Sequence, residues 1–320
     1  MSKIKKIYVS LKEWVLKGIP PWRVYKTMLQ VRMAACKKWY SLKIFNSKPV
    51  VTGKDAPHFE IHMLICHRDV GMGLWAIRSF FYHTDKSYAI ILHDDGTLTE
   101  KDLTILRRHL IGVTIIKKDE ADNMLIEQLS AYPELKWFRF SSDVISYDRR
   151  QSFNGFIFSL KLVDFNILTS ARKKLFLESD VLFFKRPKLI MDWIDDLSDA
   201  RILYMLEAYK PVMNDKYEIT SFLPKGRFFN GGLVCVDSQV YKINLAETNK
   251  IVSEIRKTTV PTHLLEQYVY QKLFLGAKNC YPLPLPEYAF NYYNKDSIAV
   301  HFGMKELFFE NVRKTESKIT

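Results

Sequence analysis

The chain has 320 residues, of which 48% are apolar and 14% aromatic, so it can bury a sizeable core, and disorder over most of its length is excluded. It contains no run of about 18 apolar residues, so the sequence predicts no membrane-spanning helix. The net charge is +13, but residues 1–48 hold twelve Lys and Arg against one Glu, which leaves the rest nearly neutral. A protein that binds nucleic acid along its whole face would spread this charge more evenly, so nucleic acid is not an expected partner.

Residues 1–48 are predicted to form a basic arm of two amphipathic helices, separated at residues 18–21. An apolar stripe at helical spacing marks each helix. In the second helix the stripe consists of Val24, Met28, Val31, Ala35, Trp39 and Leu42. Two accounts of the arm stay open. The helices lie on an anionic membrane surface with their lysines at phosphate level, or the stripes pack on the rest of the chain or on a second subunit.

A linker at residues 49–58 is predicted to join the arm to one domain at 59–320. The stretch that follows the basic start is interrupted by Lys12, Glu13 and Lys17, so no signal peptide is predicted. The four cysteines are widely spaced and form neither a metal pattern nor a disulfide framework, which suits a reducing cytosol.

From residue 59, short apolar runs alternate with helical stretches. Strands are predicted at 60–66, 88–93, 113–116, 174–178, 202–206, 232–236 and 298–302. Helices are predicted at 73–82, at 99–110, over most of 119–170, at about 240–257 and at 262–275. Thr99 and Asp102 have the spacing of a capping box at the start of the second of these. Strands separated by helices of roughly 10–15 residues imply βαβ units and a mostly parallel sheet, which is a Rossmann-like α/β architecture.

Two carboxylates, Glu178 and Asp180, lie two residues apart where the apolar run at 174–178 ends. We predict that this run is a buried central strand, and a ligand crevice is expected at the carboxyl end of a parallel strand. Two hard oxygen ligands suit Mg²⁺ or Mn²⁺, which can bridge a diphosphate. Solvated acids at a strand-to-loop transition are the alternative interpretation.

Six short motifs, in order over residues 59–305, resemble those of the retaining glycosyltransferases of the glycogenin and bacterial lipopolysaccharide galactosyltransferase type. They are Asp69 with Gly73 and the helix at 74–80, Lys161-Leu162, Glu178-Ser179-Asp180, the segment 229–233, Glu266-Gln267 and the segment 300–303. The chain departs from the family in having Glu for Asp at Glu178 and Glu266 and Gly231 for Ser. It also lacks the Lys-Pro-Trp that follows the final Gly, where only Lys305 stands nearby. The resemblance implies a divergent member with the GT-A fold, the nucleotide-diphospho-sugar transferase fold.

The resemblance also implies roles for individual residues. The metal ligands are Glu178, Asp180 and His301, and the other residues of the catalytic group, with Asp180, are Asn230, Glu266 and Gln267. The residues expected around the donor nucleotide and its diphosphate are His67, Arg68, Asp69, Asp94, Lys161, Ser179, Gly231, Gly232, Gly303 and Lys305. A uracil N–H donating to Asp94 would suit a UDP-sugar, whereas ordinary turn chemistry at Asp94-Asp95-Gly96 is an equal alternative. A partly buried structural histidine is the alternative for His301.

The function that this resemblance implies is metal-dependent transfer of a sugar from a nucleotide-sugar donor to a hydroxyl of a glycan, lipid-linked or protein acceptor, with retention of configuration. The protein would act in the cytoplasm, with peripheral attachment to the inner face of a membrane or oligomer formation left open. One rival is a sugar-nucleotide nucleotidyltransferase, but residues 67–73 match its Gly-rich basic phosphate loop poorly. The other rival is a non-catalytic protein whose basic arm engages nucleic acid.

Overall fold

The computed structural model describes residues 21–141, 145–148, 151–153, 155–213, 219–258, 262–275, 277–303 and 305–319. The helices are α1 (Pro21–Phe45), α2 (Val70–Thr84), α3 (Glu100–His109), α4 (Lys118–Leu125), α5 (Pro133–Phe140), α6 (Ser159–Ile167), α7 (Lys188–Asp195), α8 (Leu245–Arg256), α9 (Thr262–Leu275), α10 (Lys305–Val312) and α11 (Glu316–Ile319). The strands are β1 (Val50–Val51), β2 (Phe59–Ile65), β3 (Ala89–Asp94), β4 (Leu110–Ile111), β5 (Thr114–Ile116), β6 (Ile145–Asp148), β7 (Gln151–Phe153), β8 (Lys173–Leu177), β9 (Val181–Phe183), β10 (Ile202–Met213), β11 (Ile219–Asp237), β12 (Cys280–Pro282), β13 (Tyr288–Phe290) and β14 (Ala299–His301). Single turns of 3-10 helix precede α2 and α6, at His67–Asp69 and Gly155–Phe158.

One large sheet organises these elements in the order β5-β3-β2-β8-β11-β10-β13-β14-β9, with β12 beside β10. Strands β5, β3, β2 and β8 are parallel neighbours, as are β10, β13 and β14. Strand β11 runs antiparallel to both of its neighbours, and β9 runs antiparallel to β14. The expected mostly parallel α/β sheet is therefore confirmed, with antiparallel strands in its second half.

Alternation of apolar side chains on the central strands creates a core on each face of the sheet. Ile61 and Leu175 belong to one core, in which they pack with Trp75 of α2. Phe176, the next residue along β8, belongs to the other, with Phe165 of α6. All of β8 is buried. Successive side chains of a strand point to opposite faces, so Leu175, Phe176 and Leu177 form a continuous apolar run that packs on both sides of the sheet.

Several predicted elements differ from the observed ones. The stretch 119–170, predicted to be mostly helical, contains the hairpin β6–β7 between helices α5 and α6. Strands β10 and β11 extend well beyond the predicted cores at 202–206 and 232–236, because their antiparallel pairing continues to the register Met213↔Ile219. Backbone hydrogen bonds between the two strands do not require apolar side chains, so the pairing continues beyond the apolar residues from which each strand was predicted. The predicted first helix of the arm lies outside the described residues.

The basic arm is described from Pro21 onward, where α1 corresponds to its second predicted helix. Within the predicted linker, β1 pairs in parallel with β4. None of the helices in the described part of the chain is both long and apolar enough to cross a membrane. The proposed division into an arm, a linker and a domain at 59–320 stays a prediction.

The sheet brings the polar residues of three segments to one edge. Strands β3, β2 and β8 are adjacent and parallel, so their carboxyl ends meet at that edge. Strand β3 ends at Asp94, and the segments that follow β2 and β8 start at Cys66 and Glu178. The backbone N–H of Asp95 donates to the carbonyl of Ile65 at 3.1 Å, which joins the first two of these ends. This edge is where a ligand is expected in an open α/β sheet.

Candidate functional site

Glu178, Asp180 and His301 converge at the carboxyl edge of the sheet. Each offers one ligand atom, and these atoms lie within 4.8 Å of one another. The Nε2 atom of His301 is 2.8 Å from Oε2 of Glu178 and 3.1 Å from Oδ1 of Asp180. The two acids turn inward because β8 ends before Glu178 and β9 begins after Asp180, while the antiparallel β9–β14 pair places His301 opposite Val181.

Asn230 fixes the orientation of the His301 ring. Its Oδ1 atom accepts a hydrogen bond from Nδ1 of His301 at 2.7 Å and another from the backbone N–H of Gly232 at 3.0 Å. Because Nδ1 carries this hydrogen bond, Nε2 is directed at the two carboxylates. A partner that orients a metal-binding histidine in this way is a recurrent feature of metal sites.

Lys161 joins Glu178 to a third carboxylate, which lies on α9. Its ammonium is hydrogen-bonded to Oε1 of Glu178 and lies 3.3 Å from Oε2 of Glu266. Lys161 and Glu266 are both buried. Tyr270 holds the helix that carries the lysine, because its hydroxyl donates to the carbonyl of Lys161 at 2.8 Å. The result is a continuous chain of charges from Glu266 through Lys161 and Glu178 to His301.

The charges of this network reinforce one another. Burial acts to lower the pKa of His301, but the carboxylates of Asp180 and Glu178 outweigh it and raise that pKa to about 10. Burial acts to raise the pKa of Glu178, but the cations of Lys161 and His301 keep it well below its usual range. Burial raises the pKa of Glu266 to about 7, with Lys161 opposing the shift. The raised pKa of His301 favours its imidazolium form, whose positive charge balances the two acids.

Gly232 leaves the space that the His301 ring occupies. A Cβ atom at this position would lie 2.3 Å from Nδ1 of His301 and 2.9 Å from Oδ1 of Asn230. Its neighbour Gly231 has more room, since a Cβ there would lie 3.2 Å from Oε1 of Glu266 and 3.5 Å from the Lys161 ammonium. The requirement for glycine at 232 therefore comes from the histidine that approaches the strand.

The donor atoms of the cluster fit a divalent cation. Oδ1 of Asp180 is buried and has no hydrogen-bond donor in the described part of the chain, although His301 lies nearby. Loss of the Nε2 proton of His301 would give two carboxylate oxygens and one imidazole nitrogen around a common centre. Such a set suits Mn²⁺, and it suits Mg²⁺ less well because that ion prefers oxygen ligands. A cation there would replace the positive charge that the imidazolium now supplies.

A second group of predicted residues lies where β2 ends. Asp69 accepts from the Lys305 ammonium at 2.6 and 2.8 Å, so the start of α2 is joined to the start of α10. His67 donates from Nδ1 to Asp102 at 2.7 Å, and Arg68 between them is exposed. Asp102 belongs to the predicted capping box of α3, which is confirmed.

Lys37 of α1 is a neighbour of this group that the sequence analysis counted only as a charge of the arm. Burial lowers the pKa of Lys37, and the charges that act on it include Asp69, Lys305 and Arg68. Asp69 thus pairs with Lys305 and interacts electrostatically with Lys37, two cations from distant parts of the chain. Periodicity within α1 could not reveal this, because the neighbour lies across the contact between α1 and α2.

Asp94 has one oxygen engaged in its own turn. Its Oδ1 atom accepts from the backbone N–H of Gly96 at 2.8 Å and of Leu98 at 3.2 Å. Asp94 therefore has the turn chemistry expected as one of its two alternatives, and a uracil contact would have to use the other oxygen.

The remaining predicted residues lie near the cluster. Ser179 separates the two acids, and a Cβ at Gly73 would lie 3.8 Å from its Cβ. Gln267 follows Glu266 on α9 and is half-buried. Gly303 follows β14, where a Cβ would lie 2.8 Å from the ring of Phe290. The structure places these residues around the cluster and leaves their roles as predictions.

The fold of this chain matches solved glycosyltransferase structures, whereas no protein-family model and no curated protein sequence matches it. The crystal structure of mouse xyloside xylosyltransferase 1 in its apo form matches with a TM-score of 0.50 and 14% identity, over 80% of this chain and 99% of that one. An active-site mutant of LgtC matches with a TM-score of 0.50 and 13% identity, over 80% and 95% of the two chains. The chain thus has the GT-A fold of these glycosyltransferases.

Proposed function

We propose that this protein is a metal-dependent glycosyltransferase that moves a sugar from a UDP-sugar donor to a hydroxyl acceptor with retention of configuration. The observation that carries the proposal is the cluster of Glu178, Asp180 and His301 at the carboxyl edge of a GT-A sheet. Two solved structures of this fold are named as a xyloside xylosyltransferase and an active-site mutant of LgtC. The resemblance of the six sequence motifs supports the same reaction.

Glu178, Asp180 and His301 would hold Mn²⁺ or Mg²⁺, and Asn230 would keep the imidazole ring in the orientation that directs Nε2 at the cation. A bound cation supplies charge that stabilises the leaving diphosphate. Lys161 holds Glu178 from the protein side, because its ammonium contacts that carboxylate while its own side chain is buried. Lys161 was expected at the donor diphosphate, and because of this contact we assign it instead to holding Glu178 in position.

Glu266 is assigned to positioning Lys161. Its Oε2 atom lies 3.3 Å from the ammonium, and the side chain is 2% exposed. An acid enclosed in this way is poorly placed to attack a sugar. No protein nucleophile is needed if the leaving diphosphate accepts the proton of the acceptor hydroxyl. Gln267, the residue after Glu266, is assigned to a contact with a sugar.

The donor diphosphate and nucleotide are assigned to the edge formed by residues 67–69, Asp94, the segment 231–232, Gly303 and Lys305. Lys305 and Arg68 supply positive charge there, and the pairing of Lys305 with Asp69 keeps one of these cations at the start of α2. Arginine and lysine both bind phosphate, and arginine can do so in a bidentate manner.

We assign the reaction to the cytoplasm, because all four cysteines are unpaired.

A thermal-shift screen of nucleoside diphosphates with Mn²⁺ or Mg²⁺ tests this function. A ligand bound only by the folded state raises stability by mass action, so UDP with Mn²⁺ should raise the melting temperature most. UDP-sugars that raise it are then assayed for release of UDP. Consumption of a nucleoside triphosphate and a sugar phosphate would favour a nucleotidyltransferase. Salt-sensitive oligonucleotide binding without nucleotide affinity would favour a non-catalytic protein.

A further inference from the structure

Helix α1 has two apolar faces, and the structure buries the one that the sequence did not single out. The buried face carries Cys36, Tyr40 and Ile44, which pack against the core formed with α2 and α10. Tyr40 stacks on Phe309 of α10 at a centroid distance of 6.5 Å and meets the edge of Trp75 of α2 at 6.3 Å. These contacts attach α1 to the domain.

The stripe found in the sequence lies on the other side of α1 and is exposed. Val31, Trp39 and Leu42 are 53%, 59% and 50% exposed, and Ala35 between them is exposed as well. Spacings of four, four and three residues place all four on one face of a helix. A contiguous apolar face on a helix that is already docked is a candidate interaction surface.

Positive charge surrounds this face. Lys38 is exposed beside it, Arg32 lies one residue after Val31, and the Lys43 ammonium lies 5.6 Å from the centre of the Trp39 ring. Arg32 and Lys43 also pair with acids of α10 and α11, at 3.3 and 3.0 Å. The whole segment 1–48 has twelve cationic residues against one acidic residue. Its partner should therefore be both apolar and anionic.

The position of α1 relates this face to the candidate site. A Cβ at Gly71, near the start of α2, would lie 2.9 Å from Oγ of Ser41, and the indole N–H of Trp75 donates to the carbonyl of Tyr40 at 3.1 Å. Because α2 starts at the carboxyl edge of the sheet, the part of α1 that contains Tyr40 and Ser41 lies beside that edge.

From this arrangement we infer that the exposed face of α1 docks on an anionic phospholipid surface. The aliphatic side chains and Trp39 enter the interface, and the surrounding lysines and arginines meet the lipid phosphates. A second copy of the chain would instead bring two strongly cationic segments together. Nucleic acid would match the charge but would leave Val31 and Leu42 without an apolar partner.

Docking through this face would bring the carboxyl edge of the sheet close to the membrane. The proposed transfer would then act on an acceptor held at a lipid surface. This use of the face rests on the proposed function, whereas the docking itself does not.

Flotation of the full chain with vesicles tests the inference. Vesicles of phosphatidylcholine with phosphatidylglycerol, at low salt, should carry the protein, and vesicles of phosphatidylcholine alone should carry it poorly. The triple variant V31S/W39S/L42S should lose about tenfold or more in binding, since buried apolar area drives interfacial attachment. The matched control M124S/I126S/L197S alters side chains of similar exposure elsewhere, 53%, 47% and 49%, and should bind as the unaltered chain does.

Failure of the full chain to bind anionic vesicles, or equal binding by the triple variant, would overturn the inference. So would a dimer in sedimentation velocity that the triple variant alone converts to monomer, because the face would then cover a second copy. A thermal shift with UDP and Mn²⁺, measured on the same proteins, separates the two proposals. Vesicle binding without a nucleotide shift would defeat the proposed function and leave the docking intact.

Discussion

Asn230 and His301 are joined by a hydrogen bond of 2.7 Å from the imidazole Nδ1 to the amide Oδ1, which turns Nε2 toward Glu178 and Asp180. Removal of the amide in Asn230→Ala should weaken Mn²⁺-dependent UDP binding by about 10–100-fold while the fold is kept. Asn230→Asp retains the acceptor atom and should be much closer to the unaltered protein. Titration calorimetry measures both, and equal affinities for the alanine variant and the unaltered chain would refute the assigned role.

Adjacent glycines 231 and 232 should respond differently to alanine. In Gly232→Ala the new methyl would lie 2.3 Å from the imidazole, so His301 must move and metal-dependent activity should fall by about 100-fold or more. In Gly231→Ala the nearest atom is 3.2 Å away and belongs to the Glu266 side chain, so activity should fall only severalfold. Release of UDP from a UDP-sugar measures both variants. The reverse order of effects would show that His301 is not the group that requires the glycine.

Glu178 contacts Lys161 with one oxygen and His301 with the other. The shorter side chain of Glu178→Asp should still reach a metal but not both of these neighbours. Activity should therefore persist, and the ratio of the activity with Mn²⁺ to that with Mg²⁺ should change. Glu178→Ala should be inactive, and it should lose up to about 3 kcal/mol of unfolding free energy because it takes one partner from a buried lysine. If the aspartate variant is as inactive as the alanine variant, the site requires the longer side chain.

A buried histidine pair predicts how stability depends on pH. His62 Nδ1 lies 3.0 Å from His93 Nε2, and burial lowers the pKa of His62 to about 4. In the unfolded chain a histidine binds its proton near pH 6.5, so between pH 6.5 and 4 the unfolded state holds more protons. Stability should therefore be complete above pH 6.5 and fall as the pH is lowered through this window, by about 3 kcal/mol for His62 alone.

Urea unfolding at a series of pH values measures this loss. His62→Gln should reduce the slope of the unfolding free energy against pH by the equivalent of about one bound proton. His67→Gln, at an exposed position, serves as the control. A slope that is unchanged in His62→Gln would assign the acid sensitivity to other groups.

The sequence predicted best where one physical requirement dominates. The buried run before Glu178 could only be a central strand, and Thr99 with Asp102 follows a local rule, so β8 and the start of α3 are where they were expected. The hairpin β6–β7 could not be found in this way, because its strands are short and pair mainly with each other. Nor did periodicity reveal which face of α1 is buried, since both faces carry apolar residues and the choice depends on Tyr40 meeting Trp75 and Phe309.

The candidate site shows the same division. Glu178, Asp180 and His301 were predicted as one set from a family resemblance, and the structure brings them together. The hydrogen bond from His301 to Asn230 and the place of Lys37 beside Asp69 depend on strand register and helix packing. Neither kind of contact leaves a pattern in a single sequence.

The central claim is that Glu178, Asp180 and His301 hold a divalent cation to which the donor diphosphate binds. Calorimetric titration of UDP into the full chain, with Mn²⁺ and then with EDTA, tests it most directly, with Asp180→Ala as the test variant. Asp192→Ala removes an exposed acid that pairs with Lys188 and is the matched control. EDTA and Asp180→Ala should each weaken UDP binding by about tenfold or more, while Asp192→Ala should have no effect. UDP binding of equal strength with Mn²⁺, with EDTA and in Asp180→Ala would contradict it.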